Sequence, residues 1–361
     1  MPRIVIAGYH GFGNTGDEAI LQATLGEFRR VAPGLEFTVL SSNPPLTAAT
    51  YGVRSILRTD PRAIIREMKA SDMFLLGGGS LLQDVTSTRS LLYYLGLLWC
   101  GKRFTGKAMV FANGLGPINM PLGRLLSREV LESVDLITLR DRDSADTLRS
   151  LGVSRQPIIT ADPAFMLEPE RCEWLFRTEG IPDHPGPRLA VSVRSFRRWP
   201  NFLPELVKAL DEISERFGAQ IVFFPMHRAM DLTPSHQAAN LMKRPGYVVG
   251  GNYTPGQILY VLGQCQAVLG TRLHSLILAV TAGVPTAGII YDPKVESFLH
   301  ELGCPCAGSI RDMESRDVVS AVEEMLTRAA SIRAIFERAR KRLVPLARQN
   351  VQMALDLLNR R

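Results

Sequence analysis

Arg272 and His274 stand two residues apart where a buried run turns into an apolar helix, and Lys294 follows the next apolar run. Residues 267–269 read as a strand, Gly270-Thr271 as the turn, 273–282 as a helix and 285–290 as the following strand. A helix N-terminus already favours an anion through its unpaired N–H groups and its dipole. Three cations added to it predict a pocket for one small phosphate or carboxylate. The same half of the chain ends its other predicted strands in basic residues: Arg194, Arg197 and Arg198 after 189–193, and His227 and Arg228 after 221–224. Each alone reads equally well as a solvated arginine or a satisfied histidine. Their recurrence at one sheet edge points to a ligand. The helix 273–282 carries no acid to hold a ribose diol, so the pocket suits a small polyanion without a nucleoside.

Carboxylates dominate the candidate sites of the first half. Gly11-Phe-Gly13-Asn14-Thr-Gly16 follows the first predicted strand and opens a helix, which satisfies the Gly-x-Gly-x-x-Gly pattern in its proper context. An NAD site, however, wants an acid at the end of the second strand, where Leu40-Ser-Ser-Asn43 stands, and Asp17 and Glu18 would repel a pyrophosphate. A phosphate-binding Walker loop is excluded too, because Asp17 occupies the position of its lysine. What remains is a tight loop for a neutral or weakly charged ligand with Asp17 as a base, or a plain turn capped by acids. Gly77-Gly78-Gly79-Ser80, followed by Asp84, either lets a ligand approach the backbone or lets two elements pack closely. Arg140-Asp141-Arg142-Asp143-Ser144 reads as a surface ion cluster with an N-cap, or as an anion-binding Arg140 at a strand end.

Short β-branched runs alternate with amphipathic segments throughout. Strands are predicted at 4–7, 36–40, 73–76, 108–112, 136–139 and 157–159, with helices at 17–31, 122–133 and 144–151. Such alternation implies a parallel sheet wrapped by helices. The rhythm breaks at Asp162-Pro163 and restarts at 189–193, 221–224, 247–249, 267–269 and 286–290, with helices at 203–216, 255–263 and 295–302. The expected domains are therefore 1–167, a linker at 168–188 with four prolines between Glu168 and Pro187, 189–327, and terminal helices from 328 to 361 that Pro345 should kink or split.

With 361 residues, 46% hydrophobic and 21% charged, the chain has the composition of an ordinary globular protein long enough for two cores. The net charge of +7 is spread without a Lys/Arg block of the nucleic-acid kind, so anionic ligands or lipid headgroups are the expected partners, or the basic surface is merely solvated. The first residues enter a strand without a leader-like segment, which predicts a cytoplasmic protein. The apolar run 91–100 is about half a membrane span and is expected to be a buried helix. Five scattered cysteines, with one Cys304-Pro-Cys306 pair, fit neither a disulfide framework nor a zinc ribbon and are expected to be reduced and mostly buried.

Taken together, Gly11 to Glu18, Gly77 to Ser80, Arg140-Asp141, Arg272-Leu-His274, and Gly283-Val-Pro285 with Lys294 resemble the polysaccharide pyruvyl transferases. Within them they are similar to bacterial cell-wall enzymes of the CsaB type, and the resemblance covers nearly the whole chain. It implies an α/β fold of two Rossmann-like doubly wound domains in a GT-B arrangement with an interdomain cleft. The implied reaction needs no metal or cofactor: phosphoenolpyruvate, as co-substrate, gives its pyruvyl group to a sugar as a 4,6-ketal. The implied acceptor is N-acetylmannosamine of a lipid-linked secondary cell-wall polymer precursor that anchors S-layer proteins, met at the inner face of the membrane. On this reading Arg140, Arg194, His227, Arg272, His274 and Lys294 bind phosphoenolpyruvate. Gly13, Asn14, Asp17, Gly78, Gly79, Ser80 and Asp84 bind the acceptor. His274 is the acid, Asp17 or Asp84 the base, and Arg272 neutralises the donor. Arg338, Arg340, Lys341, Arg342 and Arg348 are candidates for peripheral contact with an anionic membrane surface, or for a helix face packing back on the first domain. No nucleic acid is expected. The alternative is a nucleotide-sugar glycosyltransferase or epimerase of the same architecture.

Overall fold

A computed structural model describes residues 1–85, 87–196 and 198–360. Arg197, read above among the basic strand ends, lies outside them. The chain forms two compact units, Met1–Leu167 with Arg342–Arg361, and Glu168–Lys341.

The first unit contains β1 (Arg3–Ala7), β2 (Glu36–Ser41), β3 (Arg54–Leu57), β4 (Met73–Leu76), β5 (Gly79–Leu82), β6 (Ala108–Leu115), β7 (Leu136–Leu139) and β8 (Ile158–Ile159). Its order is β3-β2-β1-β4-β6-β7-β8, with every pairing parallel. β4 and β5 pair in succession along β6, so they behave as one strand interrupted at Gly77-Gly78. β4 and β6 are buried at every residue, which explains why they read as unbroken apolar runs rather than as alternating strands. The second unit contains β9 (Arg188–Ser192), β10 (Gln220–Phe223), β11 (Gly246–Val248), β12 (Ala267–Gly270), β13 (Thr286–Ile290) and β14 (Cys306–Ser309), ordered β11-β10-β9-β12-β13-β14 and again parallel. In both sheets the strand order reverses beside the first strand, at β1/β4 and at β9/β12. Ligands of doubly wound sheets bind outside the strand carboxyl ends at such a reversal.

Several sequence expectations are corrected. Residues 168–188 are no free linker: Cys172, Leu175, Phe176 and Ile181 are buried, helix Leu175–Thr178 forms there, and Glu179 accepts hydrogen bonds of 2.9 Å from the N–H groups of both Gly250 and Gly251. Pro345 does not split the terminal segment, which is one helix, Ala329–Asn359, and the boundary between units falls within it rather than at 328. The apolar run 91–100 lies in helix Thr88–Thr105, of which only one face is buried. Among the described residues no helix is long and apolar enough to cross a membrane. The expectation for the cysteines holds: all five are free thiols, with Cys172, Cys265 and Cys304 buried, Cys100 half-buried and Cys306 exposed.

Candidate functional site

The glycine loop after β1 is built by side chains that grip its backbone. Asn14 caps helix Thr15–Val31 by accepting the Gly16 N–H, and its own amide donates to Asp17. Glu18 accepts the Gly11 N–H and the Tyr51 hydroxyl, both at 2.7 Å; burial raises its pKa and these two bonds pull the other way. Gly11 and Gly13 have positive φ, and a Cβ at Gly11 would collide with Ser41 Oγ, so the turn requires glycine there. His10 lies buried against Gly8 and Gly77, and neither ring nitrogen has a hydrogen-bond partner. Burial, reinforced by Arg58, pushes its imidazole down to about 3 and keeps it neutral.

Asp17 faces the second glycine segment. Gly79 has φ +99°, and a Cβ on it would stand 2.7 Å from Asp17 Oδ1. Gly77 and Gly78 are packed closely too, an added Cβ meeting Ala7 O at 3.2 Å and the Ile20 side chain at 3.0 Å. Asn113 donates from its amide to the Leu76 and Gly77 carbonyls at 3.2 and 2.5 Å and holds the segment from β6. Ala112, immediately before it, has φ +47° at a register shift between β6 and β7, a strained backbone that re-aims the strand at this point. Arg140, after β7, lies over Gly114 with its side chain 5% exposed. Its guanidinium donates to Asp162 at 2.7 Å and to Ser80 Oγ at 2.9 Å. Burial lowers its pKa, and the carboxylates of Asp162, Asp141 and Asp17 more than reverse that. The ion-cluster reading of 140–144 therefore holds only in part: Asp141 does cap helix Arg142–Ser150, accepting the Ser144 N–H at 2.7 Å, but Arg140 is interior.

Asp84 does not join this group. It lies beyond the far end of β5 from Gly79, and its carboxylate accepts the N–H groups of Asn119 and Met120 at 2.7 and 2.8 Å and the Asn119 amide at 3.1 Å. Three hydrogen bonds to one loop give Asp84 a structural role there, apart from the group around Asp17.

In the second unit, the cations gather after β9, β10 and β12. Arg272 stands at the N-cap of helix Leu273–Ala282 without a side-chain cap, since a guanidinium has donors only, and it turns to Asp231. The pair is bidentate, Nε to Oδ2 at 2.6 Å and Nη2 to Oδ1 at 2.7 Å, and Asp231 is 0% exposed. Asp231 also accepts the His227 N–H at 2.8 Å. Burial, with Arg272 and Arg194 nearby, holds the His227 imidazole below its ordinary range, against the pull of Asp231. Arg194 is held differently. Its guanidinium lies 5.0 Å from the Tyr291 ring centroid and 5.4 Å from that of Phe196, and its Nε is buried with no hydrogen-bond partner. An arginine held by rings keeps its charge for a ligand, whereas Arg272 shares its charge with an acid. His274 is half-buried in the first turn of helix Leu273–Ala282, two residues after Arg272. Lys294 lies in the first turn of helix Pro293–Leu302, where Asp292 caps its N–H, three residues after Tyr291.

The structure thus brings Asn14, Asp17, Gly79, Ser80 and Arg140 together in the first unit, with Gly78 packed beside them, and Arg194, His227 and Arg272 together in the second. Asp231, Asp162, Asn113 and His10 were not singled out from sequence. An acid in the first turn of the helix after β10 was the available signal for Asp231. Among the described residues no three His, Cys, Asp or Glu side chains are grouped as a metal site would require.

Comparison with known proteins accords with this geometry. The family of polysaccharide pyruvyl transferases matches residues 14–293, from the cap of the first helix to the residue before Lys294. The chain is 20% identical to the amylovoran biosynthesis protein AmsJ of Erwinia amylovora, over 93% of this chain and 95% of that one. Among solved structures, the UDP-GlcNAc 2-epimerase of Methanocaldococcus jannaschii superposes with a TM-score of 0.65 at 11% identity, covering 90% of this chain and 93% of that one. The S. aureus MnaA–UDP complex gives 0.64 at 13%, covering 100% and 99%. These likenesses establish a GT-B-like α/β fold. A family match that runs through both sheets, from the Asn14 cap past the Arg272 and His274 turn, makes the chain a transferase of the polysaccharide pyruvyl transferase family.

Proposed function

We propose that this member of the family transfers the pyruvyl group of phosphoenolpyruvate to a sugar diol, without metal or cofactor, giving a 4,6-ketal and phosphate. The acceptor is N-acetylmannosamine of a lipid-linked secondary cell-wall polymer precursor, met at the inner membrane face. The observation that supports the donor most directly is Arg194, a partly buried guanidinium held by Tyr291 and Phe196 with its Nε unbonded, beside His227 and Arg272. A donor carrying both phosphate and carboxylate needs fixed positive charge when it leaves water. Arg194, Arg272 and Lys294 supply it.

His274 donates its proton to the methylene carbon of the enol, and one sugar hydroxyl bonds to the carbon bearing the phosphate. The second hydroxyl then displaces phosphate at that carbon; of the two hydroxyl protons, one makes good the proton given to the enol carbon and the other leaves with the phosphate. Asp17, fixed by Asn14 and facing Gly79, takes the acceptor proton. The test is incubation with phosphoenolpyruvate and a synthetic lipid-linked N-acetylmannosamine disaccharide. A product heavier by the donor minus phosphoric acid, with equal release of phosphate, is expected. Tight uridine-nucleotide binding with no phosphate release would instead place the chain with the epimerases whose fold it shares.

A further inference from the structure

Helix Thr88–Thr105 exposes a stripe that its buried face does not explain. Leu91, Tyr94, Leu95, Leu97 and Leu98 enter the core, while Arg89, Leu92, Gly96, Trp99 and Arg103 recur at three- and four-residue spacing on the exposed side. Trp99 is 56% exposed. The helix contains no Asp or Glu. Beside its first turn packs the start of helix Pro121–Ser133, with Gly123 against Leu91, and that start exposes Met120, Leu122 and Leu125, the two leucines at 59% and 54%. Arg128 follows on the exposed side of the second helix, and Glu129 is its exposed acid. Both helices begin where the chain leaves β5 and β6, at the carboxyl edge that also carries the glycine segments and Arg140.

We infer that this stripe docks the first domain on an anionic lipid bilayer. An exposed aromatic and exposed leucines on two neighbouring helices, with arginines among them, suit a headgroup boundary, where arginine stems can cover apolar surface while their heads stay in water. A second copy of the chain suits it poorly. Pairing the stripe with itself in antiparallel fashion about Gly96 sets Arg89 against the other copy's Arg103, and parallel pairing sets each arginine against its equivalent, so like charges meet either way. The terminal helix expected from sequence is the weaker candidate, because Lys341 pairs with Glu337 at 3.3 Å and Arg348 with Glu27 at 3.5 Å. The lipid-linked acceptor proposed above gives this surface its purpose, but the surface itself is measured without any sugar.

The full chain is pelleted with vesicles of phosphatidylglycerol in phosphatidylcholine and with vesicles of phosphatidylcholine alone. Salt-sensitive binding to the anionic vesicles is expected. The double variant Arg89→Gln/Arg103→Gln should weaken it by roughly tenfold or more, and Trp99→Ala/Leu122→Ala should weaken it at every salt concentration, with the melting temperature of both variants unchanged. Pyruvyl transfer to a water-soluble acceptor should persist in both, so a failed reaction and a failed surface are told apart. Absence of vesicle binding in the parent chain, equal binding by parent and variants, or a dimer that Trp99→Ala converts to monomer would each overturn the inference.

Discussion

His274 and His10 illustrate two opposite uses of one side-chain type. His274, half-buried beside a cationic cluster, is the proposed proton donor, so His274→Ala should lower turnover by about two orders of magnitude or more while the far-ultraviolet spectrum and melting temperature stay put. Near-normal turnover would remove it from the chemistry. His10 is locked neutral by burial, with a folded pKa of about 3 against 6.5 for the unfolded chain. Below about pH 6.5 the unfolded chain takes up a proton that the folded one refuses. Stability is therefore fully present above that pH and falls by about 1.4 kcal/mol per pH unit on the way down to about 3. Urea midpoints measured across this range should slope in the parent and flatten in His10→Gln; an unchanged slope would assign the acid limb to other groups. What sequence spacing could not reveal at this scale is pairing. Arg272 read as a free cation, yet its partner Asp231 lies 41 positions earlier, on a helix not predicted at all.

Among elements, the loops at the strand ends place the site residues. The predicted strands lie within one or two residues of those observed wherever they are central, except that β6 runs three residues past its predicted end through Asn113 and Gly114, because burial on both faces writes an apolar run into the chain. β3 escaped notice as an edge strand with no buried residue, and β5 because its glycine start and Ser80 broke the apolar pattern. The paired possibilities for Gly77 to Gly79 resolve toward close packing, with a functional consequence at one position. Gly79→Ala must place a Cβ against Asp17 Oδ1 at a φ of +99° that alanine resists. It should cost about 1–3 kcal/mol and displace the carboxylate. Calorimetry reads the first effect and the acceptor KM the second; a variant with parent stability and parent KM would show that Asp17 does not depend on that contact. Asp84 shows the converse: a well-placed acid in the sequence, spent in the fold on the 119–120 loop.

For the whole molecule, the two-domain rhythm was legible from the restart of alternation after Asp162, but the path of the chain was not. Residues 342–361 belong with the first domain, where Asn350 accepts the Thr160 hydroxyl at 2.9 Å and Ala347, Val351, Ala354 and Leu357 are buried. No local periodicity announces a partner 190 positions away. Deleting 342–361 strips several apolar side chains from the first core, each worth roughly 1.5–3 kcal/mol when fully buried. The truncated chain should lose the first domain's unfolding transition in calorimetry and retain that of the second. Loss of neither would mean that the terminal turns are ornamental.

The same arrangement sets an order on biosynthesis. On the ribosome, residues 1–167 must wait for 342–361 to emerge before their interior can close, whereas residues 168–341 complete their own unit sooner. A chain cut off before residue 342 would therefore leave 1–167 open to proteases, while 168–341 stands folded.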